Sequence, residues 1–266
     1  MFDYRSDLIK EKSQSGFTAQ SILLDFKRSE SQFEGVMICV YAPEGTCHNT
    51  ILNETLNPSE YEYWKMLRSE RRKRSYLLGR WAAKKAVSEL CNVQDLKSMD
   101  ISSGVFGQPI LKCRDVYNVD VSISHTDQFI CGVAYPQEHP IAVDVEMINH
   151  LNEAVIKSQM TENEHKILQA FNLKEFPEHS ISTTFWTAKE ALSKILKCGM
   201  MAPIDFFEIA NLKKTINAKT DHFHLSGTFR HFAQYRFESW VTDDYSVSLT
   251  LPKRTILTFK NVHRIL

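Results

Sequence analysis

FWTAKEALSKIL, Phe185 to Leu196, is the stretch on which the reading of this chain turns. Ala, Lys, Glu and Leu dominate it and no Gly or Pro interrupts it, so a helix is expected. Phe185, Leu192, Ile195 and Leu196 recur at roughly helical spacing, which gives the helix one face for burial. Glu190 and Lys194 are four apart and so neighbours on the helix surface, with Glu on the favourable N-terminal side. Alone, such a pair is a surface ion pair worth ~0.3–0.5 kcal/mol.

A second acidic cluster lies upstream, in PIAVDVEMI, Pro140 to Ile148. It reads as a short strand with Val143 and Val145 on one face. Side chains alternate along a strand, so Asp144 and Glu146 project together from the other face. Two adjacent carboxylates repel and call for a cation, a basic partner or open water. With Glu190 they make three hard oxygen ligands, suited to Mg²⁺ and poorly suited to Zn²⁺. Lys194 beside them points to metal-assisted chemistry on a phosphate.

At 266 residues the chain fits one large domain or two small ones, and 43% hydrophobic residues supply ample core. The 32 basic and 32 acidic residues cancel, so no global field draws it to nucleic acid or to an anionic membrane. An anionic partner must be gripped locally. Cys39, Cys47, Cys91, Cys113, Cys131 and Cys198 show no CxxC spacing, which argues for reduced structural thiols. The start, MFDYRSDLIKEK, has no apolar core of signal-peptide length, and no apolar run approaches ~18 residues. A cytoplasmic chain without a membrane span is expected.

Residues 1–33 are polar and Ser/Gln-rich and are expected to form an irregular or loosely docked extension. An N-terminal half over 34–140 opens with a strand, EGVMICVYA, and Asn57 or Ser59 is a candidate N-cap for the helix that follows. Ser69 to Leu90 reads as a long helix, basic at first and apolar-striped from Tyr76. Short strands flank FGQP, and Val119–Ser124 and Phe129–Tyr135 form a hairpin across HTDQ. The C-terminal half, 141–266, begins with the acidic strand. Asn149 to Leu173 is expected to be mostly helical, with a capping box at Thr161 and Glu164. KEFPEHSIS is expected as a break, and strands follow Gly199: Phe206–Ala210, His222–Leu225, Tyr235–Val241, Tyr245–Leu251 and Ile256–Phe259.

The halves repeat each other. RWAAKKAVSEL (80–90) lies over FWTAKEALSKI (185–195) without a gap, and VSISHTDQFICGVAYP (121–136) over FESWVTDDYSVSLTLP (237–252). The period is far too long for a solenoid. Two matched helix-plus-hairpin halves imply an α+β fold of two similar halves about a pseudo-twofold, with the active site in the cleft between them. Such a chain would be a monomer that behaves as an internal dimer.

SISHTD, PIAVDVE and FWTAKEALSKIL, in that order, resemble the signature of the 4′-phosphopantetheinyl transferases of the larger, surfactin-synthetase-activating type. A helix ending in LLGR and a GQP similar to the family's GKP turn extend the likeness over about Arg71 to Lys197. Members move the phosphopantetheine arm of coenzyme A onto a serine of an apo acyl or peptidyl carrier protein, use Mg²⁺ and release 3′,5′-ADP. The resemblance makes Asp144, Glu146 and Glu190 the Mg²⁺ ligands, Glu146 directly or through water. It makes Glu190, or a water it orients, the base for the carrier serine, and Lys194 the grip on the phosphate being transferred. Asp144, Glu190 and Lys194 are thus the implied catalytic set. Arg71, Gly107, Gln108, Pro109, Ser124, His125, Lys189 and Lys194 are the implied contacts to coenzyme A, with Arg80 structural.

Three departures stand out. Gln108 replaces the Lys of GKP, Ala142 stands where the family has Gly in GxDxE, and the first thirty-odd residues exceed the family's usual start. None removes a metal ligand, so an active enzyme with weaker affinity for coenzyme A is expected. The alternative is a catalytically inactive protein of the same fold that binds coenzyme A, a nucleotide or a carrier. The basic run Arg71, Arg72, Lys73 and Arg74 suggests nucleic acid less well, since it lacks interleaved aromatics. Trp186 and Phe185 read as core residues.

Overall fold

A computed structural model describes residues 16–43, 49–171, 177–216 and 223–264. The chain divides into two compact units. One runs to Pro140 and resumes at Thr255, and the other is Ile141–Arg254. In the first unit, β1 (Thr18–Lys27) and β2 (Gln32–Tyr41) form an antiparallel hairpin. The irregular extension expected up to Phe33 is therefore, from Thr18 onward, a core strand burying Ala19, Ile22, Leu24 and Phe26. Its polar residues concealed it, and they have partners: Ser21 donates to Glu89, and Asp25 takes bonds from Gln32 and Lys260. The expected arm over residues 1–15 lies outside the described residues.

Short helices α1 (Asn49–Thr55) and α2 (Pro58–Met66) lead to α3 (Glu70–Cys91). Asn57 caps α2 in a complete capping box with Glu60, Ser69 caps α3, and Asn92 in the left-handed region ends it. Hairpins β3 (Asp100–Ser103)–β4 (Pro109–Lys112) and β5 (Val119–His125)–β6 (Phe129–Pro136) follow. Helix α3 packs Leu77, Leu78, Trp81 and Ala82 on Ile38, Val40 and Ala134 of the sheet. The approach is close. A Cβ at Gly132 of β6 would stand 2.5 Å from the Ala83 nitrogen, so only glycine allows this helix–sheet distance.

The second unit starts with β7 (Ala142–Met147), followed by α4 (Glu153–Ser158), α5 (Glu162–Ala170) and α6 (Glu178–Ile195). The expected helical stretch from Asn149 is thus two short helices parted at Gln159–Thr161, and its end at Leu173 lies outside the described residues. Helix α6 is longer than FWTAKEALSKIL by two turns. EHSIS, expected within a break, is the first part of this helix, where Ser182 donates to the His179 carbonyl at 3.1 Å and the next residues, Thr183 and Thr184, donate to the carbonyls of His179 and Ser180. Phe206 and Phe207, expected to open a strand over Phe206–Ala210, instead end a 3₁₀ turn (Ile204–Phe207), and the strand, β8 (Ile209–Ile216), begins after it. Strands β9 (Phe223–Phe229), β10 (Tyr235–Val241) and β11 (Tyr245–Pro252) complete an antiparallel sheet of order β7-β11-β10-β9-β8. The last strand, β12 (Ile256–Arg264), pairs with β1, so the first unit's sheet has the order β12-β1-β2-β6-β5.

Taken separately, the two units share an ordered element. In the first, β2, α3, β5 and β6 occur in that chain order, with sheet order β2-β6-β5. In the second, β7, α6, β10 and β11 do the same, with sheet order β7-β11-β10. The turns match in detail. Thr126 Oγ1 accepts from Phe129 N at 3.0 Å, and Thr242 Oγ1 accepts from Tyr245 N at 2.9 Å. This gives Thr the same role at both turns.

Candidate metal and active site

Strand β7 alternates as its sequence requires: Val143 and Val145 are buried, while Asp144 and Glu146 lie across from Ser248 and Ser246 of β11. Those serines face helix α6. Thr187 and Ser248 hydroxyls are 2.6 Å apart and Thr184 and Ser246 3.1 Å apart, so a buried row of hydroxyls fixes the helix over the strand pair. From that seat Glu190 reaches Asp144 and Glu146, and ligand atoms of the three carboxylates lie within 4.8 Å of one another. Among the described residues they are the one such metal-ligating group. All three come from the second unit.

Lys194 lies one turn beyond Glu190 and donates to Asp144 Oδ1 at 2.7 Å and to the Val143 carbonyl at 3.2 Å. Asp144 is 1% exposed. Lys194, with its side chain 27% exposed, therefore shields a carboxylate that water does not reach. Burial first, then the Asp144 carboxylate, push Glu146 and Glu190 up to about 7, with Lys194 opposing the rise at both. Three carboxyls held this close repel one another, and positive charge relieves that repulsion, as Lys194 does at Asp144. A divalent cation with a preference for oxygen fits this donor set, which contains neither thiolate nor imidazole.

Trp186, expected in the core, is half-buried, and its indole N–H favours the ionised form of Glu146, which opposes the rise that burial causes. Trp186, Glu190 and Lys194 thus form one stripe along α6. Their spacing of four in the sequence was the signal that could have found the tryptophan.

Lys189 faces elsewhere. It is buried, pairs with Glu164 at 2.7 Å and donates to the Gln159 carbonyl at 3.2 Å, so its ammonium is committed to α5 instead of standing open to a ligand. The remaining residues implied to touch coenzyme A belong to the first unit. Exposed His125 ends β5 and Ser124 beside it is buried. Arg71 pairs with Asp127 in the turn that follows, which brings the start of α3 to the same corner. Gly107, with φ +80°, turns the chain before Pro109 opens β4. Gln108 folds its amide onto that turn, where Oε1 accepts from Phe106 N at 3.0 Å. Arg80 lies 4.0 Å from the buried Glu60 carboxylate, a structural place. No helix among the described residues is long and apolar enough to cross a membrane.

The profile of the 4′-phosphopantetheinyl transferase superfamily matches residues 140–250. Over 136 residues the chain is 26% identical to the 4′-phosphopantetheinyl transferase gsp of Aneurinibacillus migulanus, covering 50% of this chain and 52% of that one. Over 72 residues it is 29% identical to a holo-[acyl-carrier-protein] synthase of Mycoplasma capricolum subsp. capricolum, covering 27% of this chain and 64% of the relative. The matches span about half to two thirds of these relatives' length. A solved holo-ACP-synthase from Plasmodium yoelii is 15% identical, with a TM-score of 0.29 over 46% of this chain and 96% of that one, a likeness too slight to argue from. The acidic strand and the helix that faces it fall inside the segment, residues 140–250, that matches the 4′-phosphopantetheinyl transferase superfamily.

Proposed function

We propose that this protein transfers the 4′-phosphopantetheine arm of coenzyme A to a serine of an apo acyl or peptidyl carrier protein, with Mg²⁺ and with release of 3′,5′-ADP. The observation that carries the proposal is the convergence of Asp144, Glu146 and Glu190 within 4.8 Å, beside Lys194, in the segment that matches the superfamily. Asp144, Glu146 and Glu190 would hold the metal. Bound there, Mg²⁺ supplies charge neutralisation on the pyrophosphate of coenzyme A.

The chain's own residues do the rest. Glu190 sits near neutrality because it is buried beside another carboxylate, which suits a group that takes a proton from a serine hydroxyl. Lys194 holds Asp144 in place and also donates to the Val143 carbonyl, and its partly exposed ammonium would meet a phosphate oxygen from that position. Trp186 favours the ionised form of Glu146. In the first unit, Arg71, Ser124, His125 and the turn at Gly107, Gln108 and Pro109 would bind the nucleotide end of coenzyme A. Lys189, spent on Glu164, leaves that role to Lys194. The matching element order in the two units supports their descent from one duplicated β-α-β-β element.

The test is incubation with coenzyme A, Mg²⁺ and an apo carrier, followed by intact mass of the carrier. A phosphopantetheine increment is expected, and Glu190→Gln should reduce its rate by about 10²–10⁴-fold. A wild-type protein that binds coenzyme A yet modifies no carrier across a panel would leave a binding protein of the same fold.

A further inference from the structure

We propose that the buried Lys189–Glu164 pair is the positioning element that sets Glu190 against Asp144, and that it is one of two copies of the same lock. This rests on the reading of Glu190 as a working residue of the site. Glu164 makes three attachments with one carboxylate. Its Oε2 accepts from Thr161 N at 2.8 Å, closing the capping box of α5, and takes Lys189 of α6 at 2.7 Å. Its Oε1 accepts from Ile209 N at 2.8 Å, the first residue of β8. A helix start, a strand start and the middle of α6 are thus joined at the residue next to Glu190.

The first unit repeats the arrangement group by group. Glu60 Oε2 accepts from Asn57 N at 3.1 Å in the capping box of α2 and takes Lys84 of α3 at 2.5 Å. Glu60 Oε1 accepts from Ile101 N at 3.0 Å. Lys84 completes its shell on the Thr55 carbonyl at 2.7 Å, as Lys189 does on Gln159. Lys84 lies over Lys189 in the ungapped alignment of the two helices, and the next residue is Lys85 in one and Glu190 in the other. One copy of the lock therefore stands beside an acidic site and the other does not, which separates its service to the fold from its service to the site.

Buried ion pairs add little net stability over apolar residues of similar size, so what such a pair contributes is position. Position matters acutely here. One residue of slip along α6 moves Glu190 by 1.5 Å and turns it by about 100°, whereas shared oxygen ligands of Mg²⁺ tolerate only tenths of an ångström about ~2.1 Å. The hydroxyl row holds α6 on the sheet side, and Lys189 holds it on the α5 side.

The test compares Lys189→Met/Glu164→Gln with Lys84→Met/Glu60→Gln, since Gln at these positions keeps the acceptor for the capping box. Both proteins should remain folded. In the first, Mn²⁺ affinity and kcat for carrier modification should fall at least about tenfold, with KM for coenzyme A within about twofold. In the second, all three should stay within about twofold. Amide hydrogen exchange over residues 186–195 should speed up only in the first. Equal losses in both variants, or a folded Lys189→Met/Glu164→Gln protein with unchanged Mn²⁺ affinity, kcat and exchange, would overturn the proposal. Should that variant not fold, Glu164→Gln alone is expected to move the same readouts in the same direction, and no movement overturns the proposal. Were the wild type to modify no carrier, the enzymatic reading would fail while Mn²⁺ affinity still tested the lock. Were it to bind no Mn²⁺ either, exchange over 186–195 would decide.

Discussion

Strands β2 and β7 occupy the same place in the shared element of their units, yet they face their helices with opposite chemistry. Strand register aligns them. Val36, Ile38 and Val40 lie across from Ala134, Gly132 and Ile130 of β6, while Ala142, Asp144 and Glu146 lie across from Thr250, Ser248 and Ser246 of β11. In the first unit the row is apolar and buried, and α3 closes on it through Gly132. In the second, carboxylates and hydroxyls replace hydrocarbon, and α6 presents Trp186, Glu190 and Lys194 to them. Each apolar side chain so buried contributes about 1.5–3 kcal/mol, whereas a buried carboxylate costs several kcal/mol before it is paired. The comparison teaches that the same register position can carry buried apolar side chains in one unit and the acidic cluster in the other.

The most drastic way to break the contrast is to give β7 the residue of β2. Asp144→Ile should abolish Mg²⁺-dependent carrier modification, by at least ~10³-fold, by removing a metal ligand. It should hold the melting temperature within about 4 °C, because Lys194 can turn to solvent. Residual transfer near the wild-type rate would sink the metal assignment.

Next in size is the pH response. Glu146 and Glu190 sit at about 7 in the folded chain, above the ordinary 4.5. Between those values the folded chain binds more protons at these two groups than the unfolded one, so their contribution to stability is full below about pH 4.5 and is lost as pH rises through about 7. Mg²⁺ competes with those protons, so it should bind more tightly as pH rises through 7 and flatten the loss. Denaturation at pH 5 and pH 8, with and without Mg²⁺, checks this. Equal stability at both without the metal would contradict the crowding of carboxyls.

The paired tryptophans give a smaller and sharper test. Trp81 is buried against Phe17, with ring centroids 5.3 Å apart, while Trp186, at the same place in its helix, serves Glu146. Trp186→Phe should lower kcat by about tenfold through loss of a bond to a charged group, with little change in melting. Trp81→Phe should do the reverse, costing about 1–2 kcal/mol of stability and no activity. The same response at both would erase the distinction. Smallest is Gln108→Lys, which restores the family's charge at an exposed turn. KM for coenzyme A should fall by about two- to fivefold, the scale of a surface ion contact, and a rise in KM would remove Gly107–Pro109 from the nucleotide site.

Much was legible in the sequence because the physics there is local. Alternation put Asp144 and Glu146 on one side of β7, and the Thr161 and Glu164 spacing capped α5. Less local features misled. Ser21 and Asp25 made β1 look like an irregular arm because their partners, Glu89 and Lys260, are distant in the chain. EHSIS was expected within a break, yet it is the start of α6, where the Ser182 hydroxyl turns back onto the His179 carbonyl.

Which residues can ligate a metal, and that they stand on a strand and a helix, the sequence determined alone, through side-chain chemistry and periodicity. What tertiary structure decided is which lysine serves which carboxylate. Lys189 and Lys194 are both near Glu190 in sequence, but a 100° step per residue sends one to Glu164 in the core and the other to Asp144 at the site. Trp186 was settled the same way, since a helix face is core or site according to what the opposing strand carries.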